Sequence, residues 1–213
     1  MTSYFHLETL LPRLVAFLIA MTVHDASHLF TAWLLGDRSA REHYKLSLNP
    51  LARLDALGLA MVLFGPYGWS KSLTIRKEHF QKYPRLYHTL VYAAGPLSNL
   101  LLVFFFWWLY FYLPAWDTGK IENFSIEMWK VYIQYGIIVN VMLVLIHILP
   151  LYPLDGWHIV RGLLPAQKQG WFQRNERYGL LLVLILLITP IGQWALEHVY
   201  PVAAQAVMNV FSL

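Results

Sequence analysis

Two histidines and an aspartate lie inside the first long apolar stretch of the chain. The segment Thr22-Val-His-Asp-Ala-Ser-His-Leu29 places His24 and His28 four residues apart, so on a helix their imidazoles project from one face, one turn apart. The pattern is HExxH, in which two imidazoles bind zinc and a glutamate acts as general base, with Asp25 in the glutamate position. Because such groups are costly in a bilayer-length apolar segment, they predict a function.

The composition indicates an integral membrane protein. Of the 213 residues, 58% are hydrophobic and 13% are charged, whereas soluble domains average about 25% charged residues. The aromatic fraction of 16% includes nine tryptophans, a residue enriched at membrane interfaces. The chain contains no cysteine, so disulfides and thiolate ligands are excluded and a metal would need His, Asp or Glu. The formal charge of +4 is interpreted as a sign of topology, not of nucleic-acid binding.

The hydrophobic segments predict an all-α polytopic membrane protein with four main spans in a single domain over residues 1–213. The apolar segment near 54–65 is about a dozen residues long, too short to cross a core of ~30 Å as a helix. We expect the region 54–76 to form a re-entrant or membrane-associated hairpin, and residues 114–130 and 157–178 to be loops. The first span lacks the flanks of a signal peptide and is interpreted as retained. The spans are expected at 10–35, 87–113, 131–149 and 179–199.

The distribution of cations predicts the orientation in the membrane. The regions 36–88 and 156–178 together hold thirteen lysines and arginines, and the opposite side holds three. The excess of cations on cytoplasmic loops then predicts that both termini lie outside. The end of the first span and Asp155 would therefore both lie near the cytoplasmic face, in what we expect to be a bacterial cell membrane.

Asp155 is the candidate third ligand of the metal. A catalytic zinc site uses three protein ligands and a water, and no other acidic residue lies near the centre or break of a later span. Pro150 and Pro153 unwind the chain before it, so that its carboxylate can turn inward towards a protein-lined or wet cavity. The alternative is a buried polar network without metal. Asn99 is expected to hydrogen-bond across helices as a packing group. The remaining histidines are expected at interfaces or in loops: His6, His43, His79, His88, His158 and His198.

Taken in order, the motifs resemble those of the site-2 proteases (peptidase family M50), which are intramembrane zinc metalloproteases. The resemblance extends from about residue 20 to residue 160, and the chain resembles a minimal member without PDZ or CBS domains. Gly68-Trp-Ser-Lys71 is similar to the family's Gly-Trp-Ala-Lys segment. The other matching segments are Leu35-Gly-Asp-Arg-Ser-Ala-Arg41, Leu46-Ser-Leu-Asn-Pro-Leu51, Ala94-Gly-Pro-Leu-Ser-Asn99 and Leu149-Pro-Leu-Tyr-Pro-Leu-Asp-Gly156.

The resemblance implies roles for individual residues. It implies Zn²⁺ bound by His24, His28 and Asp155, with Asp25 in the place of the general base. The implied reaction is hydrolysis of a peptide bond within or near a transmembrane helix of a substrate protein in the bilayer. The implied substrate-binding edge consists of Trp69, Ser70, Lys71, Ser72 and Leu73.

Two positions depart from the family pattern. Asp25 is one methylene shorter than Glu, and a misplacement of ~1 Å can cost ~100-fold in rate. His147 stands where the family usually has Asn, a residue thought to bind substrate or stabilise the oxyanion. A histidine there could donate the same hydrogen bond, pack between helices, or act as a fourth ligand that makes the zinc structural.

These departures leave a second hypothesis open, a pseudoprotease that binds zinc and transmembrane helices without cleaving them. A metal transporter is a third hypothesis, because it would also place His and Asp in spans. We see no second set of polar groups that would form a path for ions across the membrane.

Overall fold

The protein folds into an all-α structure, as the sequence predicts. The computed structural model describes residues 7–38, 55–64, 67–71, 75, 79–112, 123–190, 194, 197, 198, 202 and 205. Seven helices have both ends within these residues, which contain no β-strand beyond an isolated bridge at Ser70. The helices are α1 (Leu7–Leu34), α2 (Ala56–Phe64), α3 (Pro84–Tyr112), α4 (Asn123–His147), α5 (Asp155–Leu163), α6 (Ala166–Arg174) and α7 (Glu176–Ile188).

Among the residues that the structure describes, three helices are long and apolar enough to cross a membrane. These stretches are Thr9–Leu34, Pro84–Tyr112 and Met128–His147, and they correspond to the first three predicted spans. The fourth span, expected at 179–199, begins in α7, which has 13 residues. Much of its second half lies outside the described residues, so the fourth span stays a prediction. The chain is a membrane protein built on three apolar helices.

The helices α1, α3 and α4 all pack against one another. Leu97, Leu101 and Phe105 recur every fourth residue on the outer face of α3, and all three are exposed, as is typical of a face turned towards lipid. On its inner face Val91 and Asn99 are fully buried. The exposed apolar side chains and the buried residues Val91 and Asn99 therefore lie on opposite faces of α3.

The chain unwinds between α4 and α5, as the prolines predict. Residues 148–154 are not helical, and the next helix begins at Asp155 and packs on α3. At Gly156 the chain packs closely against the end of the preceding segment, because a Cβ atom there would overlap the backbone carbonyls of Ile148 and Leu149. A side chain at that position would push Asp155 away from the end of α4.

Two regions that we expected to be loops contain helices. The region 157–178 holds most of α5, the whole of α6 and the start of α7, and α4 begins at Asn123, inside the expected loop 114–130. Both loop predictions are wrong in part. The buried residues Trp157 and His158 hold α5 against its neighbours, and such packing can stabilise a helix whose charged composition resembles a loop.

The helix α2 and the segment 67–71 lie together against α1. With nine residues α2 is too short to span a bilayer, as predicted. A Cβ atom on Gly58 of α2 would overlap the carbonyl of Trp69, and one on Gly68 would meet the carbonyl of Gly58 and the ring of Phe17. Backbone therefore packs directly on backbone. Because several residues of 54–76 lie outside the described part of the chain, the hairpin itself stays a prediction.

Replacing Gly58 by Ala should destabilise the protein. The added methyl group would collide with a backbone carbonyl that has no freedom to rotate away, and overpacking of this kind costs about 1–3 kcal/mol. We expect a lower Tm for the detergent-solubilised variant. Gly170→Ala is the matched control, since a Cβ atom at Gly170 meets nothing within 4 Å, and its Tm should not fall. Equal Tm values for Gly58→Ala and the unmodified protein would contradict the close packing.

Candidate metal centre

Three histidines surround the carboxylate of Asp155. The Nε2 atom of His24 lies 2.9 Å from Oδ2 of Asp155, and Nε2 of His28 lies 3.2 Å from Oδ1. The Nδ1 atom of His147 lies 3.0 Å from Oδ2. All four side chains are buried. A single carboxylate therefore joins α1, the end of α4 and the start of α5.

Helix geometry and the break before α5 account for this convergence. The rings of His24 and His28 follow each other on one face of α1, with centroids 4.7 Å apart. His147 is the last residue of α4, Asp155 is the first residue of α5, and the unwound connection turns the two ends towards each other. The structure thus brings together the three predicted ligands and His147. Their role in binding a metal stays a prediction.

Polar groups of α3 contact the outer nitrogens of the two α1 imidazoles. The Nδ1 atom of His28 lies 2.7 Å from the carbonyl oxygen of Val91. Because a carbonyl can only accept a hydrogen bond, Nδ1 carries a proton, and in the neutral ring Nε2 would then present its lone pair to the site.

The amide of Asn99 contacts the other imidazole, since its Nδ2 lies 3.1 Å from Nδ1 of His24 and donates a hydrogen bond to that nitrogen. The Oδ1 atom of Asn99 is buried and has no hydrogen-bond partner among the described residues. A 180° rotation of the amide lets Oδ1 accept the Nδ1 proton of His24, which leaves Nε2 free to bind a cation. The expected interhelical hydrogen bond of Asn99 is thus present, and its partner is a candidate ligand.

Gly95 allows α3 to approach the two imidazoles. A Cβ atom at this position would lie 2.5 Å from Nε2 of His24 and 2.5 Å from Nε2 of His28. Gly95 precedes Asn99 by four residues, so both face α1. That spacing within the Ala94–Asn99 motif was the sequence signal for these two positions, of which we expected Asn99 to be a packing group.

A cavity of about 20 Å³ adjoins the cluster, a volume sufficient for about one water molecule. Asp25 lines it and is buried, and its Oδ1 accepts a hydrogen bond of 2.8 Å from the hydroxyl of Ser70. Trp69 and Lys71 line the same cavity. Three of the five predicted substrate-binding residues therefore lie beside the site, and the other two, Ser72 and Leu73, lie outside the described residues.

Two further histidines are buried near the site. His88 lies in α3 and His158 in α5, so they are not in loops, and the part of the expectation that places them at an interface stays a prediction. The ring of His158 stacks on Tyr92 with centroids 4.1 Å apart, and both residues line the cavity. His158 follows Asp155 by three residues, which is a signal of a shared helical face that the loop prediction concealed.

The donor set fits a zinc ion. Imidazole nitrogen and carboxylate oxygen are the ligands that zinc uses when no thiolate is present. A buried carboxylate needs a compensating positive charge, which neutral imidazoles do not supply and a cation does. In the described part of the chain, donor atoms of His24, His147 and Asp155 all lie within 4.8 Å of one another. This set contains His147 in place of the predicted His28, so His147 is also a candidate ligand.

Replacing Gly95 by Ala should weaken metal binding. The methyl group would displace both imidazoles of α1, and displacement of groups that orient ligands typically costs ~10–100-fold in metal affinity. The measurement is competition for zinc between the purified protein and a chelating dye. Gly170→Ala, on an exposed helix, is the control with unchanged affinity. Retention of full affinity in the Gly95→Ala variant would contradict the proposed ligand geometry.

The chain matches known proteins along most of its length. The sequence profile described as Peptidase family M50 matches residues 12–190. The chain is 32% identical to "Putative zinc metalloprotease YwhC" of Bacillus subtilis. The aligned 208 residues make up 96% of this chain and 93% of that protein. It is 27% identical to "Putative zinc metalloprotease Rip2" of Mycolicibacterium smegmatis. The aligned 193 residues make up 88% of this chain and 71% of that protein. No solved structure matches the chain at a significant level. The resemblance drawn from the ordered motifs is therefore confirmed, and the chain belongs to peptidase family M50.

Proposed function

We propose that the protein is an intramembrane zinc metalloprotease, which hydrolyses a peptide bond within or near a transmembrane helix of a membrane-protein substrate. The carrying observation is the buried cluster of three imidazoles and a carboxylate beside a cavity that Asp25 also lines. The helices that supply these groups have apolar outer surfaces. Hydrolytic groups in such surroundings suit a substrate that arrives through the bilayer.

His24, His28 and Asp155 would hold the zinc ion. The contacts of His28 with Val91 and of His24 with Asn99 support this assignment, because they direct one nitrogen of each ring towards Asp155. When bound, zinc supplies a Lewis acid that polarises the scissile carbonyl and lowers the pKa of water.

Asp25 is the candidate general base. Its carboxylate would take a proton from the attacking water as the water oxygen bonds to the carbonyl carbon. It would then return that proton to the amide nitrogen as the carbon–nitrogen bond breaks, so that an amine leaves and a carboxyl group remains. The burial of Asp25 and its place in the wall of the cavity support this role.

The non-helical segment containing Trp69, Ser70 and Lys71 would bind the substrate. Ser70 takes part in an isolated β-bridge, and exposed backbone in this conformation can pair with an extended peptide. A substrate helix would have to unwind to pair in this way. The cation distribution supports a site near the cytoplasmic face, and the bacterial relatives support a bacterial cell membrane.

A zinc-binding pseudoprotease is the second candidate function. The observation that favours it is the position of His147, whose Nδ1 lies 3.0 Å from Asp155 and which has a donor atom within 4.8 Å of those of His24 and Asp155. A fourth protein ligand would occupy the position that water needs in a catalytic zinc site.

Zinc-dependent cleavage is the direct test of the proposed function. The purified protein, reconstituted in lipid with a panel of transmembrane reporter proteins, should cleave at least one of them. A chelator should abolish cleavage and added zinc should restore it. Asp25→Asn should lower kcat at least ~100-fold with unchanged zinc content, because it removes the base and retains the ligands. Cleavage that survives chelation, or zinc-loaded protein that cuts none of the reporters, would contradict the proposal.

Variants of His147 separate the two candidate functions. As a hydrogen-bond donor to the developing oxyanion, His147 should be replaceable by Asn, whereas His147→Ala should lower kcat by ~100-fold or more. Neither change should alter zinc affinity. A loss of zinc from both variants, together with no cleavage by the unmodified protein, would instead support a fourth ligand and the pseudoprotease.

A further inference from the structure

The hydroxyl of Ser70 donates a hydrogen bond to the carboxylate of Asp25. Its Oγ lies 2.8 Å from Oδ1, and the two residues are 45 positions apart in the sequence. The other acceptor near this hydroxyl, the carbonyl of Lys71, lies 3.5 Å away, at the outer limit of a hydrogen bond. The single hydroxyl proton of Ser70 is therefore directed to Asp25.

The backbone around Ser70 is held by packing. Trp69 is buried and its carbonyl lies against Gly58 of α2. Gly68 in turn lies against Gly58 and against Phe17 of α1, the helix that carries Asp25. The hydroxyl thus comes from a supported segment, as is needed if one group is to orient another to within a fraction of an ångström.

As a general base, Asp25 depends on such orientation more than a glutamate would. In the HExxH arrangement the base is a glutamate, and the aspartate side chain is shorter by one carbon–carbon bond. A shorter side chain has fewer rotamers with which to bring its carboxylate to the water, and an error of ~1 Å can cost ~100-fold in rate. A charge-assisted hydrogen bond to one carboxylate oxygen restricts the rotation of the group.

We propose that Ser70 is a positioning residue for the base, and that Asp25 and Ser70 together perform the task of a single glutamate. This inference rests on the proposed proteolytic function. Ser70 also belongs to the segment proposed to bind substrate, so docking of the substrate and orientation of the base depend on the same piece of backbone. A glutamate at position 25 would extend its carboxylate into the space that the Ser70 hydroxyl borders.

The hydrogen bond between Ser70 and Asp25 therefore predicts that Ser70→Ala changes kcat in opposite directions when residue 25 is Asp and when it is Glu. Ser70→Ala in the unmodified chain should lower kcat about tenfold or more and leave KM and zinc content within about twofold. In the Asp25→Glu variant the same Ser70→Ala change should raise kcat, because it makes room for the longer side chain. Thr89→Ala is the control, since that hydroxyl donates to the carbonyl of Arg85 in its own helix, and its kcat should not change.

Two further measurements separate the positioning role from other effects. One compares variants that differ only in the hydroxyl, and the other measures Tm instead of cleavage. Ser70→Thr keeps a hydroxyl, and Ser70→Val has the shape of threonine without the hydroxyl. The kcat should therefore be retained in the Thr variant and lost in the Val variant. In the zinc-free protein, Ser70→Ala should lower the Tm when residue 25 is Asp and should not lower it in the Asp25→Ala background.

The outcomes distinguish this inference from the proposed function. A cleaving protein in which Ser70→Ala raises only KM, or in which the change has the same effect with Asp or Glu at position 25, would overturn the positioning role and leave the protease standing. Equal kcat for the Thr and Val variants would overturn it as well. Absence of cleavage by the unmodified chain would overturn both the function and the inference.

Discussion

The charge of the Asp155 carboxylate is the constraint on which the centre of this structure depends. An isolated carboxylate inside a membrane protein is costly, and the cost falls when hydrogen-bond donors and a cation surround it. The imidazoles of His24, His28 and His147 meet this carboxylate from two different helices. The helices can therefore pack in few arrangements that leave Asp155 satisfied, and the unwound residues 148–154 supply the turn that this requires.

The helix α3 adds precision to this arrangement without contributing a ligand. Its contribution comes from the absence of a side chain at Gly95, from the carbonyl of Val91 and from the amide of Asn99. Small residues let membrane helices approach closely, and here the close approach brings hydrogen-bonding groups to the outer nitrogens of both α1 imidazoles. The same helix presents an apolar stripe on its opposite face. The exposed apolar face and the contacts with both α1 imidazoles thus belong to the same helix.

The proposed hydrolytic site has to admit water while the surrounding bundle stays apolar. The narrow cavity beside Asp25 meets both needs, because it accommodates about one water molecule and is walled by the same side chains that would act on that water. The segment carrying Ser70, which is the proposed substrate edge, lines this cavity. An aspartate in place of a glutamate is then compatible with catalysis if its neighbours orient it, so the residue at position 25 is best assessed together with Ser70.

Local features of the sequence determined the class of protein and the centre of the site. Bilayer-length apolar runs determined three spans, a four-residue spacing placed His24 and His28 on one helical face, and the prolines before Asp155 determined the break. The tertiary structure alone decided the approach of His147 to Asp155, the contact of Asn99 with His24 and the hydrogen bond from Ser70 to Asp25. It also decided that residues 155–163 are helical, since packing against α3 stabilises a segment whose composition suggests a loop. The difference has a physical reason: periodicity and chain breaks act over a few neighbouring residues, whereas these contacts depend on how separate helices pack.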